Sequence, residues 1–369
     1  MIYLDDSATT KPDYEVLNTF TKAASNYFAN PNSNYDIAKE SKAKIDRATK
    51  RLSKLLGINP SEIIYTSGAS ESNNMAIKGI AACDSRHHII TTPFEHSSIM
   101  APIGYLQSIG YKVDFVKIKP NGEVDLKDLE KLINEDTFLV SIGAVNSELG
   151  FRQPIEKIGK LLKKYNLVFH SDITQIVGKD KFDLKDVDLA SMSAHKIYGI
   201  KGIGALIKKD KIKIIPLVHG GKSVTIFRSG TPQTELILSM VKAAELLLPE
   251  VSKNKIYVSK LNKMVINGLS KYENIKINST KLSIPQIINF SVLGRKADAT
   301  QRYFAAHEIY FSTKTACASD SDLSLAVYAM TKDTKRAESS VRVSLSSLTT
   351  EKEVMEFLKV IDKYMEKKI

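Results

Sequence analysis

The sequence is poor in cysteine and lacks the spacing patterns of several classes of binding protein. It has two cysteines, Cys83 and Cys317. Two are too few for a disulfide framework, so both are expected to be thiols in a reducing compartment. We find no helix-turn-helix pattern, no RNA-binding signature and no zinc-ligand spacing. Neither a metal site nor direct, specific binding to nucleic acid is therefore expected.

The sequence also lacks a long hydrophobic run and a signal peptide. Its longest apolar stretch, residues 236–248, is interrupted by Lys242 and Glu245, so no membrane span is expected. Acidic residues occur at once, at Asp5 and Asp6, whereas a signal peptide begins with basic residues. The expected location is the cytoplasm, without a membrane partner.

What the sequence does have is length and positive charge. Its 369 residues are enough for one large domain and a smaller one. The 53 Lys and Arg residues exceed the 41 Asp and Glu residues and give a formal net charge of +12. Because the lysines are spread along the whole chain, a solvated basic surface is the first explanation, and an acidic partner is the alternative.

From residue 62 the sequence alternates between apolar strand patterns and helical patterns. Such alternation predicts a mainly parallel sheet with helices on both faces, whose ligands bind outside the carboxyl ends of the strands. A helical stretch at 234–270 is predicted to connect this unit to a smaller one. The predicted strands are 63–66, 88–92, 113–116, 137–142, 167–170, 188–192 and 205–207, and then 286–292, 309–311 and 341–345 in the smaller unit.

Lys196 stands out because it lies in a run of small and hydroxyl residues, Ser193-Ala194-His195-Lys196, after an apolar strand pattern. A desolvated lysine can lose its proton near neutral pH and form a Schiff base with a carbonyl compound. The alternative is a solvated loop lysine before a turn, and for a lone lysine that alternative would usually hold.

A second motif, Thr66-Ser67-Gly68-Ala69-Ser70-Glu71, lies between a predicted strand and a predicted helix. Small residues at a helix N-terminus expose backbone N–H groups to an anion, and the Ser70 hydroxyl can add a donor, so the motif fits a phosphate site. The alternative is that Ser70 is simply an N-cap. The motif is not a P-loop, because no Gly-Lys-Ser/Thr follows.

Asp172 and His96 complete the set. Asp172 lies just beyond the carboxyl end of the predicted strand 167–170. An acidic residue there often binds a ring nitrogen or a metal, although it could instead cap the next helix. His96 begins a predicted helix and is either an ordinary capping residue or a flat ring that stacks on an aromatic group. An amine, a carboxylate, a phosphate-binding turn and a flat ring together fit pyridoxal 5'-phosphate.

On these residues the chain resembles a NifS-type cysteine desulfurase, in the class V aminotransferase branch of pyridoxal phosphate enzymes. The resemblance runs from Tyr3 to Thr350. It implies the fold-type I architecture, with a mainly parallel seven-stranded sheet, helices on both faces and a smaller α+β domain. The motifs that carry it are Asp6-Ser7-Ala8-Thr9-Thr10, the segment from Thr66 to Asn74, Glu95-His96, His170-Ser171-Asp172, Ser193-Ala194-His195-Lys196-Ile197-Tyr198-Gly199 and Arg228-Ser229-Gly230-Thr231.

The resemblance also implies a role for each site residue. Lys196 would bond to the cofactor, Asp172 would bind the pyridine nitrogen, and His96 would stack on the ring and assist proton transfer. Arg342 would pair with the substrate carboxylate, because a guanidinium grips a carboxylate with two parallel hydrogen bonds. Further cofactor contacts would come from Gln175 to the phenolic oxygen, from Ser147 beside the ring, from Ala69, Ser70, Ser193 and His195 to the phosphate, and from Thr231 to the phosphate of a neighbouring subunit in a homodimer.

Cys317 is the residue that the resemblance identifies as the sulfur acceptor. It lies among small polar residues, and nearby Lys314 would favour the thiolate. The alternative for a lone cysteine is a buried small hydrophobe, but Cys317 has no apolar neighbourhood in the sequence. Cys83 follows Ile80-Ala81-Ala82 at a predicted helix end, fits that buried alternative and is assigned no role.

The chain departs from the family pattern at several positions. These are Ser147 for a ring-side asparagine, Tyr35 for a histidine, Ser223-Val224 for a Gln-Glu pair, Lys314 for a glycine and Ser346-Ser347 for Gly-Arg. The departures indicate a specialised member. Asn146-Ser147-Glu148 is similar to a short Gram-positive subgroup linked to tRNA thiolation, and the chain ends at Ile369 without the longer tail by which housekeeping desulfurases dock an iron–sulfur scaffold.

The resemblance implies conversion of L-cysteine to L-alanine, with a persulfide on Cys317 that passes to an acceptor. A tRNA sulfurtransferase is favoured as that acceptor over an iron–sulfur scaffold. Three alternatives remain: sulfur supply for iron–sulfur clusters, a cysteine or cystine lyase or an aminotransferase on the same cofactor, and a non-catalytic paralogue. A large cofactor-binding domain is expected at residues 12–245. A small domain, formed by 1–11 and 246–369, would carry Cys317 and Arg342.

Overall fold

The computed structural model describes residues 1–221, 223–313 and 323–367 of the chain. Its strands alternate with helices through the first two thirds of the sequence. The strands are β1 (Ile2–Tyr3), β2 (Ile63–Thr66), β3 (His88–Thr91), β4 (Lys112–Phe115), β5 (Thr137–Ser141), β6 (Val168–Asp172), β7 (Leu189–Ser193), β8 (Gly204–Lys208), β9 (Ile275–Ile277), β10 (Ile287–Val292), β11 (Ile309–Tyr310) and β12 (Ser340–Ser344).

The helices follow the positions at which the sequence shows amphipathic patterns. Capping side chains begin several of them; the Thr350 hydroxyl, for example, accepts a hydrogen bond from the backbone N–H of Glu353. The helices are α1 (Tyr14–Asn26), α2 (Asp36–Leu56), α3 (Ala69–Ala81), α4 (Ser97–Ser108), α5 (Leu126–Leu132), α6 (Ile155–Leu162), α7 (Thr234–Leu247), α8 (Val251–Leu269), α9 (Ala297–Ala305), α10 (Leu325–Thr331), α11 (Thr334–Glu338) and α12 (Glu351–Glu366).

The predicted mainly parallel, seven-stranded sheet is confirmed. Its strand order is β2-β8-β7-β6-β5-β3-β4. Strand β8 is antiparallel to both of its neighbours, and the other pairs are parallel. Strands β5, β7 and β8 are buried along their whole length, as expected when helices cover both faces of a sheet.

A second core lies outside this sheet. Strands β12, β10 and β9 form a three-stranded antiparallel sheet. Helices α8, α9 and α12 pack with it around an aromatic cluster that contains Phe304, Phe311 and Phe357. Strand β1 joins this region by pairing in parallel with β11, so the first residues of the chain lie beside its last third.

The prediction of one continuous helical stretch at 234–270 is wrong. Helix α7 ends at Leu247, a 3-10 turn spans Leu248–Glu250, and α8 begins at Val251. Pro249 lies in that turn and cannot donate a backbone hydrogen bond inside a helix, which accounts for the break. The short elements β9 and α11 were not predicted, because neither is long enough to show a periodic pattern.

None of the helices in the described ranges combines the length and the apolar character that crossing a bilayer requires.

Candidate active site

The sheet brings most of the predicted site residues to one cavity. Its volume is about 570 Å³. The cavity lies at the carboxyl ends of β3, β5, β6 and β7, the edge at which open α/β sheets bind ligands. The predicted residues that line it are Ala69, Ser70, His96, Ser147, Asp172, Gln175, Ser193, His195, Lys196 and Arg342.

Two predicted residues are not among those ten. Thr231 is exposed and outside this cavity, which is compatible with the prediction that it serves a neighbouring subunit. Cys317 and the nearby Lys314 lie outside the described residues. The second cysteine, Cys83, is exposed. The expectation that Cys83 is a buried hydrophobe is therefore wrong, because the chain emerges from the core just after α3 ends at Ala81.

Lys196 is held by the N-terminal loop of the chain. Its Nζ atom donates to the backbone oxygens of Ser7 and Ala8, at 2.6 Å in each case. The residue is half-buried, at the end of a 3-10 turn that follows β7, so the alternative of a solvated loop lysine is wrong. A loop more than 180 residues away in sequence therefore positions the amine.

Asp172 is the last residue of β6 and has well-placed partners. Its Oδ2 accepts from the Asn73 side chain and its Oδ1 from the backbone N–H of Thr174, both at 2.9 Å. A carboxylate offers about four lone-pair positions. Asp172 therefore keeps the capacity to accept one more hydrogen bond, which suits a protonated ring nitrogen.

His96 is the N-cap of α4, so the capping alternative is confirmed. Its Nδ1 accepts from the backbone N–H of Ser98 at 3.1 Å, which leaves the hydrogen of the neutral ring on Nε2. The pKa of His96 is lowered below its ordinary value, because burial and the charge of Lys196 together outweigh the opposing effect of Asp172. The ring is therefore neutral at pH 7, and capping does not prevent it from lining the cavity.

The predicted phosphate site lies where β2 meets α3. The N-cap of α3 is Gly68, so the alternative that Ser70 is the N-cap is wrong, and Ser70 lies in the first turn. The first N–H groups of a helix have no intrahelical partner and favour an anion. Burial and the charges of Lys196, Lys201 and Lys179 lower the pKa of His195 to about 4, so that ring is neutral at pH 7.

Gly204 on β8 keeps this turn close to the sheet. A Cβ atom at Gly204 would lie 2.5 Å from the Met192 carbonyl oxygen and 2.7 Å from the Gly68 Cα. Both neighbours are backbone atoms, and overpacking of this kind costs about 1–3 kcal/mol. We expect Gly204→Ala to lower the midpoint of thermal unfolding and to weaken phosphate-ligand binding about tenfold or more.

The matched control for that variant is Gly104→Ala. Gly104 lies within α4, and a Cβ atom there would meet nothing within 4 Å. The affinity of each apoprotein is measured by titration with pyridoxal phosphate, monitored by intrinsic fluorescence. Equal affinities for Gly204→Ala and Gly104→Ala would contradict the role of Gly204.

Arg342 on β12 reaches the cavity from the second core. Its Nη2 forms an ion pair with Asp5 at 2.8 Å, and its Nη1 donates to the backbone oxygen of Ser147 at 2.9 Å. The Ser312 hydroxyl donates to the other Asp5 oxygen. Asp5 therefore fixes the guanidinium, a role that sequence reasoning missed although Asp5 adjoins a quoted motif.

The donor set fits pyridoxal phosphate. Ser7 and Arg342 line the cavity, and among the described residues their buried Ser7 Oγ and Arg342 Nε atoms have no hydrogen-bond partner in the chain. Together with the amine of Lys196, the carboxylate of Asp172 and the start of α3, they offer partners for an aldehyde, a ring nitrogen, a phosphate and a carboxylate.

Glu95 also lines the cavity and was given no role from the sequence. It accepts hydrogen bonds from the Thr92 hydroxyl at 2.8 Å and from the Gly143 backbone N–H at 3.0 Å. Burial raises its pKa to about 7 against the effect of these hydrogen bonds. Glu95 therefore links the segments that follow β3 and β5 at the wall of the cavity.

Known proteins resemble this chain over its whole length. Residues 2–357 match the family model described as aminotransferase class-V. The chain is 36% identical to the cysteine desulfurase IscS of Clostridium botulinum, over all of this chain and 95% of that protein. It is 35% identical to the mitochondrial cysteine desulfurase of Saccharomyces cerevisiae, over 98% of this chain and 74% of that protein.

Two solved structures also resemble this chain over nearly its whole length. A NifS-like protein superimposes with a TM-score of 0.93 at 35% identity, over 99% of both chains. SspA, solved in complex with cysteine, superimposes with a TM-score of 0.84 at 31% identity, over 95% of this chain and 100% of that chain.

Proposed function

Because the chain belongs to the aminotransferase class V family, we propose that it is a pyridoxal phosphate-dependent cysteine desulfurase that converts L-cysteine to L-alanine. The sulfur atom moves to Cys317, whose S–H becomes S–S–H, so atoms balance without an added oxidant. The observation that carries the proposal is the single cavity that holds Lys196, Asp172, His96 and Arg342. Relatives named cysteine desulfurase cover the whole chain and support it.

Different residues of the cavity would hold different parts of the cofactor. When bound, pyridoxal phosphate supplies an electron sink for charge that develops at the substrate α carbon. Asp172 would keep the ring nitrogen protonated, Gln175 would donate to the phenolic oxygen, and Lys196 would hold the aldehyde carbon of the cofactor. The first turn of α3 would hold the phosphate by its backbone N–H groups, and Ser193 and His195, which line the same cavity, would add contacts.

The same residues orient the substrate and move its protons. Arg342, fixed by Asp5, binds the substrate carboxylate. The Nζ atom of Lys196 would take the proton from the substrate α carbon. Because the Nδ1 of His96 is used within α4, its Nε2 is the atom that exchanges a proton with the substrate thiol. The Cys317 thiolate then attacks the substrate sulfur.

We extend the proposal to the assembly. Thr231 would contact the phosphate of a second subunit, so the enzyme would be a homodimer, and its exposure here supports that role. The separate cores around the seven-stranded sheet and around β10 support the division into a domain at 12–245 and a domain formed by 1–11 and 246–369.

We propose that the acceptor is a tRNA sulfurtransferase. The similarity of the Asn146-Ser147-Glu148 motif to the subgroup linked to tRNA thiolation supports this choice over an iron–sulfur scaffold. The net charge of +12 would also favour an acidic acceptor or an acceptor bound to tRNA.

The test is a transfer assay with [³⁵S]-L-cysteine. The purified protein is offered a tRNA sulfurtransferase or an iron–sulfur scaffold at equal concentration, and alanine and labelled acceptor are measured. Alanine formation with label on the sulfurtransferase supports both parts of the proposal. Label on the scaffold alone would overturn the choice of acceptor, and absence of alanine would overturn the desulfurase assignment.

A further inference from the structure

A second lysine is buried beside the site. Lys179 is 8% exposed and lines a cavity of about 20 Å³ next to the large one. Lys196 lines both cavities. The residues that share the small cavity with Lys179 include Asp6, which is 7% exposed and supplies an opposite charge. A buried amine is costly, so its hydrogen bonds are informative.

The Nζ atom of Lys179 donates to the Oε1 of Gln175 at 2.6 Å. The Nε2 of Gln175 in turn donates to the backbone oxygen of Ser7 at 2.9 Å. Lys196 donates to that same Ser7 oxygen at 2.6 Å. Lys179, Gln175, Ser7 and Lys196 therefore form one hydrogen-bonded chain that ends at the reactive amine.

This chain determines which way round the Gln175 carboxamide lies. A backbone carbonyl can only accept, so Ser7 selects the NH₂ group. Lys179 donates from the other side and selects the carbonyl oxygen. Because Lys179 fixes Oε1 and one N–H of Nε2 bonds Ser7, the donor that Gln175 has left for a ligand is its second N–H. Loss of Lys179 would leave Oε1 buried without a donor and free the amide to reorient.

We propose that Lys179 is a positioning residue, which holds Gln175 as a hydrogen-bond donor to the oxygen of the cofactor ring. The inference rests on the proposed function, because that oxygen belongs to pyridoxal phosphate. Burial lowers the pKa of Lys179 to about 7. Both the charged and the neutral amine carry hydrogens, so the contact to Oε1 persists on either side of that pH.

The first measurement is the affinity of the apoprotein for pyridoxal phosphate, monitored by fluorescence. We expect Lys179→Met to weaken binding about tenfold, as for the loss of one buried hydrogen bond. We also expect the pH midpoint of the visible absorbance band to rise by about 1 unit, because loss of a donor to the ring oxygen would raise the basicity of the Lys196 nitrogen bonded to the cofactor. A purely structural role would not move that midpoint.

The second measurement is a double-mutant cycle with Gln175→Leu. If Lys179 acts through Gln175, adding Lys179→Met to Gln175→Leu changes the affinity by less than about twofold and the pH midpoint by less than about 0.3 unit. Full additivity would overturn the inference. Lys179→Arg, which keeps a donor, is expected to restore at least half of the effect on the midpoint, and failure to do so would count against it.

Lys208→Met is the matched control, because Lys208 is also buried and bonds only backbone oxygens near the end of β8 among its described hydrogen bonds. It should leave affinity and midpoint unchanged; a shift like that of Lys179→Met would contradict the inference. If Lys179→Met does not fold, Lys179→Leu, which also lacks a donor, carries the same expectations. Wild-type protein that binds no pyridoxal phosphate would refute the proposed function, whereas normal wild-type binding with an unaffected Lys179→Met variant would refute only this inference.

Discussion

We expect the Cys317→Ala variant to form no measurable alanine from L-cysteine while it keeps the yellow colour of bound cofactor. Removing a covalent nucleophile lowers turnover by about a thousandfold or more. Cofactor binding is assigned to the cavity residues around Lys196, so it should survive. The measurement is alanine released per minute, together with the visible spectrum of each purified variant.

Cys83→Ala is the matched control, because Cys83 is the other cysteine of the chain and is exposed. It should retain wild-type turnover and sulfur transfer. If Cys317→Ala also retains turnover, the protein releases sulfur without a protein persulfide, and the lyase alternative replaces the desulfurase assignment.

The second large effect is expected at Asp172. Asp172→Asn removes the negative charge that would keep the ring nitrogen protonated, and breaking a buried charge pair costs about 3–5 kcal/mol, or roughly 10²–10⁴-fold in kcat. The bond between Lys196 and the cofactor needs no protonated ring nitrogen, so bound cofactor should remain. Steady-state kinetics give kcat, and absorbance gives cofactor content.

Asp188→Asn serves as the control for that variant. Asp188 directly precedes β7, at the opposite end of the sheet, where it accepts from the backbone N–H of Phe169 and pairs with Lys211. Its substitution should lower stability slightly and leave kcat unchanged. A kcat for Asp172→Asn within about twofold of wild type would show that the ring nitrogen needs no carboxylate here.

The alternating strands and helices could be predicted because each buried strand is a short apolar run bounded by polar turns. The predicted strands at 167–170 and 188–192 end within two residues of the observed ends of β6 and β7, at Asp172 and Ser193. They therefore place Asp172 and Lys196 at one edge of the sheet. The break at Pro249 could also have been predicted, since proline rarely lies inside a helix.

Contacts between distant segments could not be predicted. The ion pair between Asp5 and Arg342 joins residues 337 positions apart, because β1 pairs with β11 and brings the start of the chain to β12. The hydrogen bond from Lys179 to Gln175 spans four positions, but the orientation of the Gln175 amide also depends on Ser7, 168 positions away. No local pattern encodes either arrangement.

The central claim is that the amine of Lys196 bonds to pyridoxal phosphate. Reduction of the holoenzyme with borohydride, followed by proteolysis and mass spectrometry, tests it most directly. The account predicts one phosphopyridoxyl group on the peptide that contains Lys196, none on Lys179, and none anywhere in Lys196→Ala protein treated in the same way. A trapped group on another lysine, or no trapped group in wild-type protein, would contradict it.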